Sequence, residues 1–262
     1  MRILLTNDDG VAAPGLAALE RIAATLSDDV WIVAPEHEQS GASRAITFTS
    51  PVRVRSLGPK RFAVSGTPTD CVILAMTDLV DGARPDLVLS GVNRGANLGE
   101  DISMSGTVAG ALQGMVLGIP SIAVSQESDY DAPTPRTRFE TAEAHAPGVI
   151  ARLIQLGWPK GVVMNLNFPD RAPDEVTDAQ MTRQGFRDVH SLHAEKRTDL
   201  RGQDYYWMGF SERRASLVKG TDLEAIAAGR ISVTPIHVDL THLPTVHTLS
   251  KALGGPAPKG PR

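Results

Sequence analysis

Arg2-Ile3-Leu4-Leu5-Thr6-Asn7-Asp8-Asp9-Gly10 decides the fold. A short aliphatic run stops abruptly at a polar, acidic turn, which reads as a buried strand over 2–6 whose carboxyl end is marked by two aspartates. Next, 15–26 carries Leu16, Leu19, Ile22, Ala23 and Leu26 at helical spacing, and the run Val30-Trp31-Ile32-Val33 predicts a second strand over 30–34. Residues 87–90 and 121–125 read as two more buried strands. Between them, 106–117 is rich in Ala, Leu, Met and Val and stops at Gly118-Ile119-Pro120, the signature of a helix and its end. A long helical pattern over 137–156 is expected to break near Ala146-Pro147-Gly148, and 161–167 returns to strand. Strand, helix, strand in this order predicts an α/β fold, a Rossmann-like three-layer parallel sheet with helices on both faces.

Two stretches interrupt that rhythm. Residues 46–65 hold β-rich pieces at 46–49, 52–56 and 62–65 around Pro51 and Gly58-Pro59, and read as a small antiparallel β meander inserted into the core. Residues 170–240 are poorer in helical pattern, with strands expected at 178–184, 205–209 and 231–235. This stretch reads as a C-terminal β/α extension used in oligomerisation. The expected organisation is a catalytic α/β core over 1–168, the extension over 169–253, and a mobile Gly/Pro-rich tail over 254–262.

The 262 residues are 42% hydrophobic and 21% charged, which is ordinary globular usage and excludes disorder as the main state. A formal net charge of -4 argues against a polymeric nucleic acid or an anionic membrane as partner. No apolar run reaches the roughly 18 residues of a membrane span. The opening apolar run ends in acids, unlike a signal peptide, so a cytoplasmic location is expected. The one cysteine, Cys71, cannot form an intrachain disulfide. It sits in an apolar helical pattern with no histidine near it in sequence, and reads as core.

The polar residues gather after strand ends, where ligands bind in open parallel sheets. Asp8 and Asp9 side by side repel each other and call for a cation. Both can reach one ion only if the chain turns, which Gly10 permits. Oxygen ligands of this kind favour Mg²⁺, Mn²⁺ or Ca²⁺ over zinc. The alternative is that one aspartate caps the next helix and the other is solvated. After the second strand, Ser40-Gly41-Ala42-Ser43 offers two hydroxyls and a flexible backbone, or a plain surface loop. His37 beside it reads as exposed. After residue 90 come Asn93 and Asn97 among Gly91, Gly95 and Gly99, and then Met104-Ser105-Gly106-Thr107 leads into a helix. A hydroxyl and a glycine at a helix start make an anion site from free N–H groups. Gly66-Thr67-Pro68-Thr69-Asp70 is another helix start, in which Asp70 reads as holding nearby backbone. Neither a P-loop lysine motif nor a G-x-S-x-G elbow is present in the sequence.

Taken in order, these blocks resemble the SurE family of survival-protein nucleotidases. The match runs through residues 2–10, Ala13-Pro14-Gly15, Val33-Ala34-Pro35, 40–43, 66–72, 85–93, Asn97-Leu98-Gly99, 105–108, Gly220-Thr221-Asp222 and 232–241. The resemblance implies a metal-dependent phosphomonoesterase acting on nucleoside 5′-monophosphates, often on 3′-monophosphates, and in some members on short polyphosphate. It places the ligands of one divalent ion per subunit, Mg²⁺ or Mn²⁺, on Asp8, Asp9, Ser40 and Asn93. It places phosphate-facing positions on Asn97, Ser105, Gly106 and Thr107, with Asp8, Asn97 and Ser105 carrying the catalysis. It also implies homodimers or homotetramers with exchanged C-terminal elements. Ala12 and Met104 depart from the histidine and tyrosine frequent there, which bears on substrate preference. The rivals are a receiver-like signalling module and a catalytically silent nucleotide-binding module. A receiver needs a phosphoacceptor aspartate after its third strand, and 50–60 holds no Asp or Glu.

Overall fold

A computed structural model describes residues 1–129 and 136–255. Nine strands form one sheet in the order β3-β4-β2-β1-β5-β6-β7-β11-β8. The strands are β1 (Arg2–Thr6), β2 (Asp29–Pro35), β3 (Val54–Gly58), β4 (Arg61–Val64), β5 (Leu87–Arg94), β6 (Ser121–Gln126), β7 (Val163–Phe168), β8 (Ala179–Met181) and β11 (Ile231–Ile236). From β4 across to β7 every pairing is parallel. β3 closes one edge antiparallel to β4, and β11 joins antiparallel to β7 at the other.

Strand alternation sorts the side chains into two cores. Ile3, Leu5, Leu89 and Val124 point to the face covered by α1 (Pro14–Ala24) and α4 (Phe139–Leu156), packing on Leu16, Leu19 and Ile150. Leu4, Val33 and Val88 point to the other face, under α2 (Pro68–Leu74), while α3 (Gly106–Val116) covers Ala123 and Val163 there. The three layers read from the sequence are therefore present. From β1 the chain winds one way to β2 and β4, whereas β5, β6 and β7 wind the other way. The order reverses between β1 and β5, which opens a crevice at their carboxyl ends.

Three expectations are corrected. Residues 46–49 form no strand, because the Thr47 amide and hydroxyl both donate to the Asp70 carboxylate (3.1 and 2.6 Å) instead of to a strand partner. What remains is a β3–β4 hairpin on the edge of the main sheet, not an inserted meander. The long helix α4 does not break. It runs through Pro147, since Ala142, Ala146 and Ile150 are all fully buried on one face and hold both halves against the sheet. That burial offsets the roughly 3 kcal/mol of an interior proline. Beyond residue 168, β8 and β11 are bonded into the same sheet as the strands before it. Finally, the extension holds more structure than its pattern indicates. A separate hairpin pairs β9 (Val189–Thr198) with β10 (Asp204–Arg214), and two helices follow, α5 (Asp222–Ala227) and α6 (Leu243–Ala252). β9 escapes a periodicity reading because its described side chains from Leu192 to Thr198 are all exposed and end in the polar run Glu195-Lys196-Arg197-Thr198, with no buried face to set an alternation. Residues 256–262 of the expected tail lie outside the described residues.

Candidate active site

The turn after β1 is built locally. Asn7 is fully buried and donates from Nδ2 to the Gly10 carbonyl (2.9 Å), and Gly10 takes φ +103° to reverse the chain. The loop after β2 is pinned onto this turn: the Gln39 amide donates to the Asp8 carbonyl and the Val11 amide to the Pro35 carbonyl, each at 2.7 Å. Asp8 is 4% exposed. The Thr107 hydroxyl donates to its Oδ1 in a short contact. Gly106 makes that approach possible, because a Cβ there would lie 2.7 Å from the Asp8 Cβ.

Burial pushes the Asp8 carboxyl up to about 6, and the neighbouring Asp9 adds to it, while the bonds from Thr107 act in the opposite direction. Asp9 is also raised, chiefly by burial, against the Arg94 amide that donates to its Oδ2 at 3.2 Å. Among the described residues no Lys, Arg or His forms an ion pair with Asp8. One buried and one half-buried carboxylate that repel each other are what a bound cation would relieve. No cluster of three or more His, Cys, Asp or Glu suited to a metal occurs among the described residues. An ion here would therefore rest on two carboxylates plus neutral oxygens, a donor set suited to a hard divalent cation.

The neutral groups are set by β5, β6 and β7. Asn93 donates from Nδ2 to the Gly95 carbonyl (2.8 Å), which directs its amide N–H away and leaves its oxygen on offer. Asn97 is cross-braced: its amide donates to Asn167 Oδ1 (2.8 Å), its carbonyl accepts from Asn165 and Asn167 (2.9 and 3.2 Å), and its Nδ2 donates to the Ser125 hydroxyl (2.8 Å). Ser105 caps α3, its Oγ accepting from the Val108 amide (3.0 Å). Ser40 is exposed and donates to Glu38 Oε1 (2.8 Å).

A cleft of about 1,110 Å³ runs over these groups. Asp8, Ser40, Asn93, Asn97 and Ser105 all line it, so the structure gathers these residues from four separate sequence blocks. Asp9, Gly106 and Thr107 are not in its lining. α3 starts against the end of β1, so the hydroxyl of Thr107, the second helical residue and fully buried, meets Asp8. His37 is exposed as expected, and the Asp70 carboxylate accepts from the Thr47 backbone amide. Burial pushes the Cys71 thiol up and leaves it an inert core residue.

Sequence reasoning missed several lining residues. Glu127 and Asp170 follow β6 and β7, and the same strand-end rule would have found them. Burial raises the Glu127 carboxyl even though the Asp170 amide donates to it. Arg187, Leu192 and Met208 carry no local signal, since only the folding-back of the extension brings them to the cleft.

The family model described as "Survival protein SurE" matches residues 3–191. The chain belongs to the SurE family. The SurE protein of Phenylobacterium zucineum, named 5′-nucleotidase SurE, is 64% identical over 99% of this chain and 100% of its own length. A Hyphomonas neptunium protein of the same name is 54% identical over 96% and 99%. Among solved structures, SurE from Aquifex aeolicus superposes with a TM-score of 0.80 at 37% identity, covering 97% of this chain and all of the other. The SurE resemblance read from the motif blocks thus extends over the whole chain. The SurE model stops just inside β9, yet the full-length relatives carry the likeness through β10, β11 and the final helices.

Proposed function

We propose that this SurE protein hydrolyses nucleoside 5′-monophosphates to nucleoside and phosphate, with 3′-monophosphates and short polyphosphate as further substrates. One observation carries the reading. Asp8 is buried at the β1–β5 switch point, in one cleft with Asn93, Asn97 and the cap of α3, and that cleft is roomy enough to admit a nucleotide. The relatives named 5′-nucleotidase support the same conclusion.

In this reading Asp8, Asp9, Ser40 and Asn93 would hold one Mg²⁺ or Mn²⁺. When bound, the ion supplies charge neutralisation at the phosphoryl oxygens and acidifies water. The chain's own groups do the rest. Thr107 fixes the Asp8 carboxylate, which takes the proton of the attacking water. Asn97, held immobile by Asn165, Asn167 and Ser125, donates to a phosphoryl oxygen, and Ser105 with the first amides of α3 receives the charge that develops there. As the water oxygen bonds to phosphorus the P–O ester bond breaks, the leaving oxygen takes a proton from solvent so that the nucleoside departs as its alcohol, and Asp8 returns the proton it accepted to solvent. A phospho-enzyme is not part of this scheme.

Assembly into homodimers or homotetramers through the extension belongs to the same reading. Its support is the exposed apolar character of β10, where Trp207 and Met208 are 61% and 78% exposed. No helix among the described residues is long and apolar enough to cross a membrane, and a cytoplasmic location completes the proposal. The test is phosphate release from 5′-AMP, 3′-AMP, GMP, CMP and tripolyphosphate with Mg²⁺ or Mn²⁺ and with EDTA. Release from none of them rejects the reading, and release undiminished by EDTA rejects its metal.

A further inference from the structure

A second polar junction sits beside the cleft, and the strand-end motifs do not account for it. The Asp222 carboxylate is fully buried at the start of α5 and accepts three backbone N–H groups: Gly99 on Oδ2 (2.9 Å), and Gly185 and Leu223 on Oδ1 (2.7 and 2.8 Å). Gln184 Nε2 donates to the Gly99 carbonyl (3.0 Å). The Arg187 side chain, 9% exposed, pairs with Asp101 (3.0 Å) and Glu100 (3.3 Å) and donates to the Leu98 carbonyl (3.3 Å). The packing leaves no slack, since a Cβ on Gly185 would lie 2.9 Å from Asp222 Oδ1.

These bonds converge on a single stretch, 98–101. That stretch opens a turn of 3-10 helix over Gly99–Ser103, and the next residues are Met104 and the helix cap Ser105. Upstream, Asn97 is anchored separately by β6 and β7. The segment joining the two phosphate-facing residues is thus tied to the sheet at Asn97 and to the C-terminal extension in its middle.

We infer that Asp222 and Arg187 are positioning residues: the extension of the same chain sets the spacing between Asn97 and Ser105 across the cleft. A carboxylate accepting three amides is a strong, directional anchor. Changing it to Asn turns one accepting oxygen into a donor that faces an N–H, so at least one buried amide loses its partner. Released, the 98–104 segment lets Ser105 and the start of α3 drift relative to Asn97. A displacement of about 1 Å at such groups costs as much as roughly a hundredfold in rate.

The activity readout rests on the nucleotidase reading, whereas the structural readout does not. Asp222→Asn, Arg187→Gln and Arg187→Lys are compared with wild type by hydrogen exchange of the peptide 98–105, by kcat and KM on 5′-AMP, and by melting temperature. Glu224→Gln serves as control, because Glu224 lies on α5 but bonds to Gly220 and Arg230 rather than to the junction. Faster exchange confined to 98–105 is expected in Asp222→Asn and Arg187→Gln. Their kcat should fall about ten- to a hundredfold, with part of it restored in Arg187→Lys and none lost in Glu224→Gln. Unchanged exchange overturns the inference. Faster exchange with unchanged kcat overturns it too, as that is the outcome of a purely structural contact. If Asp222→Asn does not fold, Arg187→Gln decides. If wild type releases no phosphate from any nucleotide, the nucleotidase reading fails by itself, and the exchange data alone uphold or overturn the junction.

Discussion

Asp8 and Met208 line the same cleft under opposite conditions. Asp8 is 4% exposed, fixed by the Thr107 hydroxyl and backed by the glycine that starts α3. Met208 is 78% exposed on a hairpin whose two strands form a sheet of their own. Groups that must hold charge in a fixed direction stand on the buried ends of a parallel sheet, where every neighbour is over-determined. Groups that only need to offer surface stand on an arm. Disturbing the first wall should therefore remove the reaction, and disturbing the second should only tune it.

The largest expected effect is at the carboxylate. Asp8→Asn should lower kcat on 5′-AMP by roughly a thousandfold, within the range of a lost general base, and near-normal turnover would break the comparison outright. Gly106→Ala comes next. Its methyl would meet the Asp8 Cβ at 2.7 Å, so the helix start or the carboxylate must shift. A loss of about a hundredfold in kcat is expected, with destabilisation of about 1–3 kcal/mol from overpacking, read by steady-state kinetics and thermal melts.

The pH dependence of stability follows in size. Asp8 is raised in the folded chain to about 6, against about 4 when unfolded. The folded state then binds the extra proton between those values. Its contribution to stability is complete below about pH 4 and is lost as pH rises through about 6, an effect on the order of 3 kcal/mol. Asp9, also raised, acts in the same direction. Melting of the protein in EDTA should show this decline, and Asp8→Asn should flatten it. A profile unchanged by that substitution would mean that Asp8 is not strained in the fold. The smallest effect belongs to the arm. Leu192→Ala with Met208→Ala should alter KM by no more than a few-fold and leave kcat intact. A collapse of kcat would place the hairpin in the chemistry and erase the contrast drawn here.

The legibility of the molecule in its sequence divides along the same line. That Asp8, Asn93 and Asn97 line one cleft is legible because they stand at or just after the end of apolar runs that read as buried strands, where ligands collect, and Ser105 is legible as the start of a helical run. The contact of the Thr107 hydroxyl with Asp8 is not legible in the sequence, since a helix-start hydroxyl looks the same whether it faces a ligand or the preceding strand. Pro147 misled because propensity counts a local loss, whereas the face formed by Ala142, Ala146 and Ile150 decides the outcome at a distance. Arg187 and Asp222 were invisible as site neighbours. Their partners Glu100, Asp101 and Gly99 lie more than eighty residues away in sequence.

The sequence by itself determined the alternation of buried strands and amphipathic helices, and with it the three layers and the polar residues at their ends. Those are local properties, because side-chain periodicity and backbone propensity act over a few residues. Tertiary structure alone decided that the sheet order reverses beside Asp8, that Gly106 and Thr107 close in behind it, and that the extension folds back to grip residues 98–101. Such contacts depend on burying distant segments together, and no short window of sequence carries the free energy that selects them.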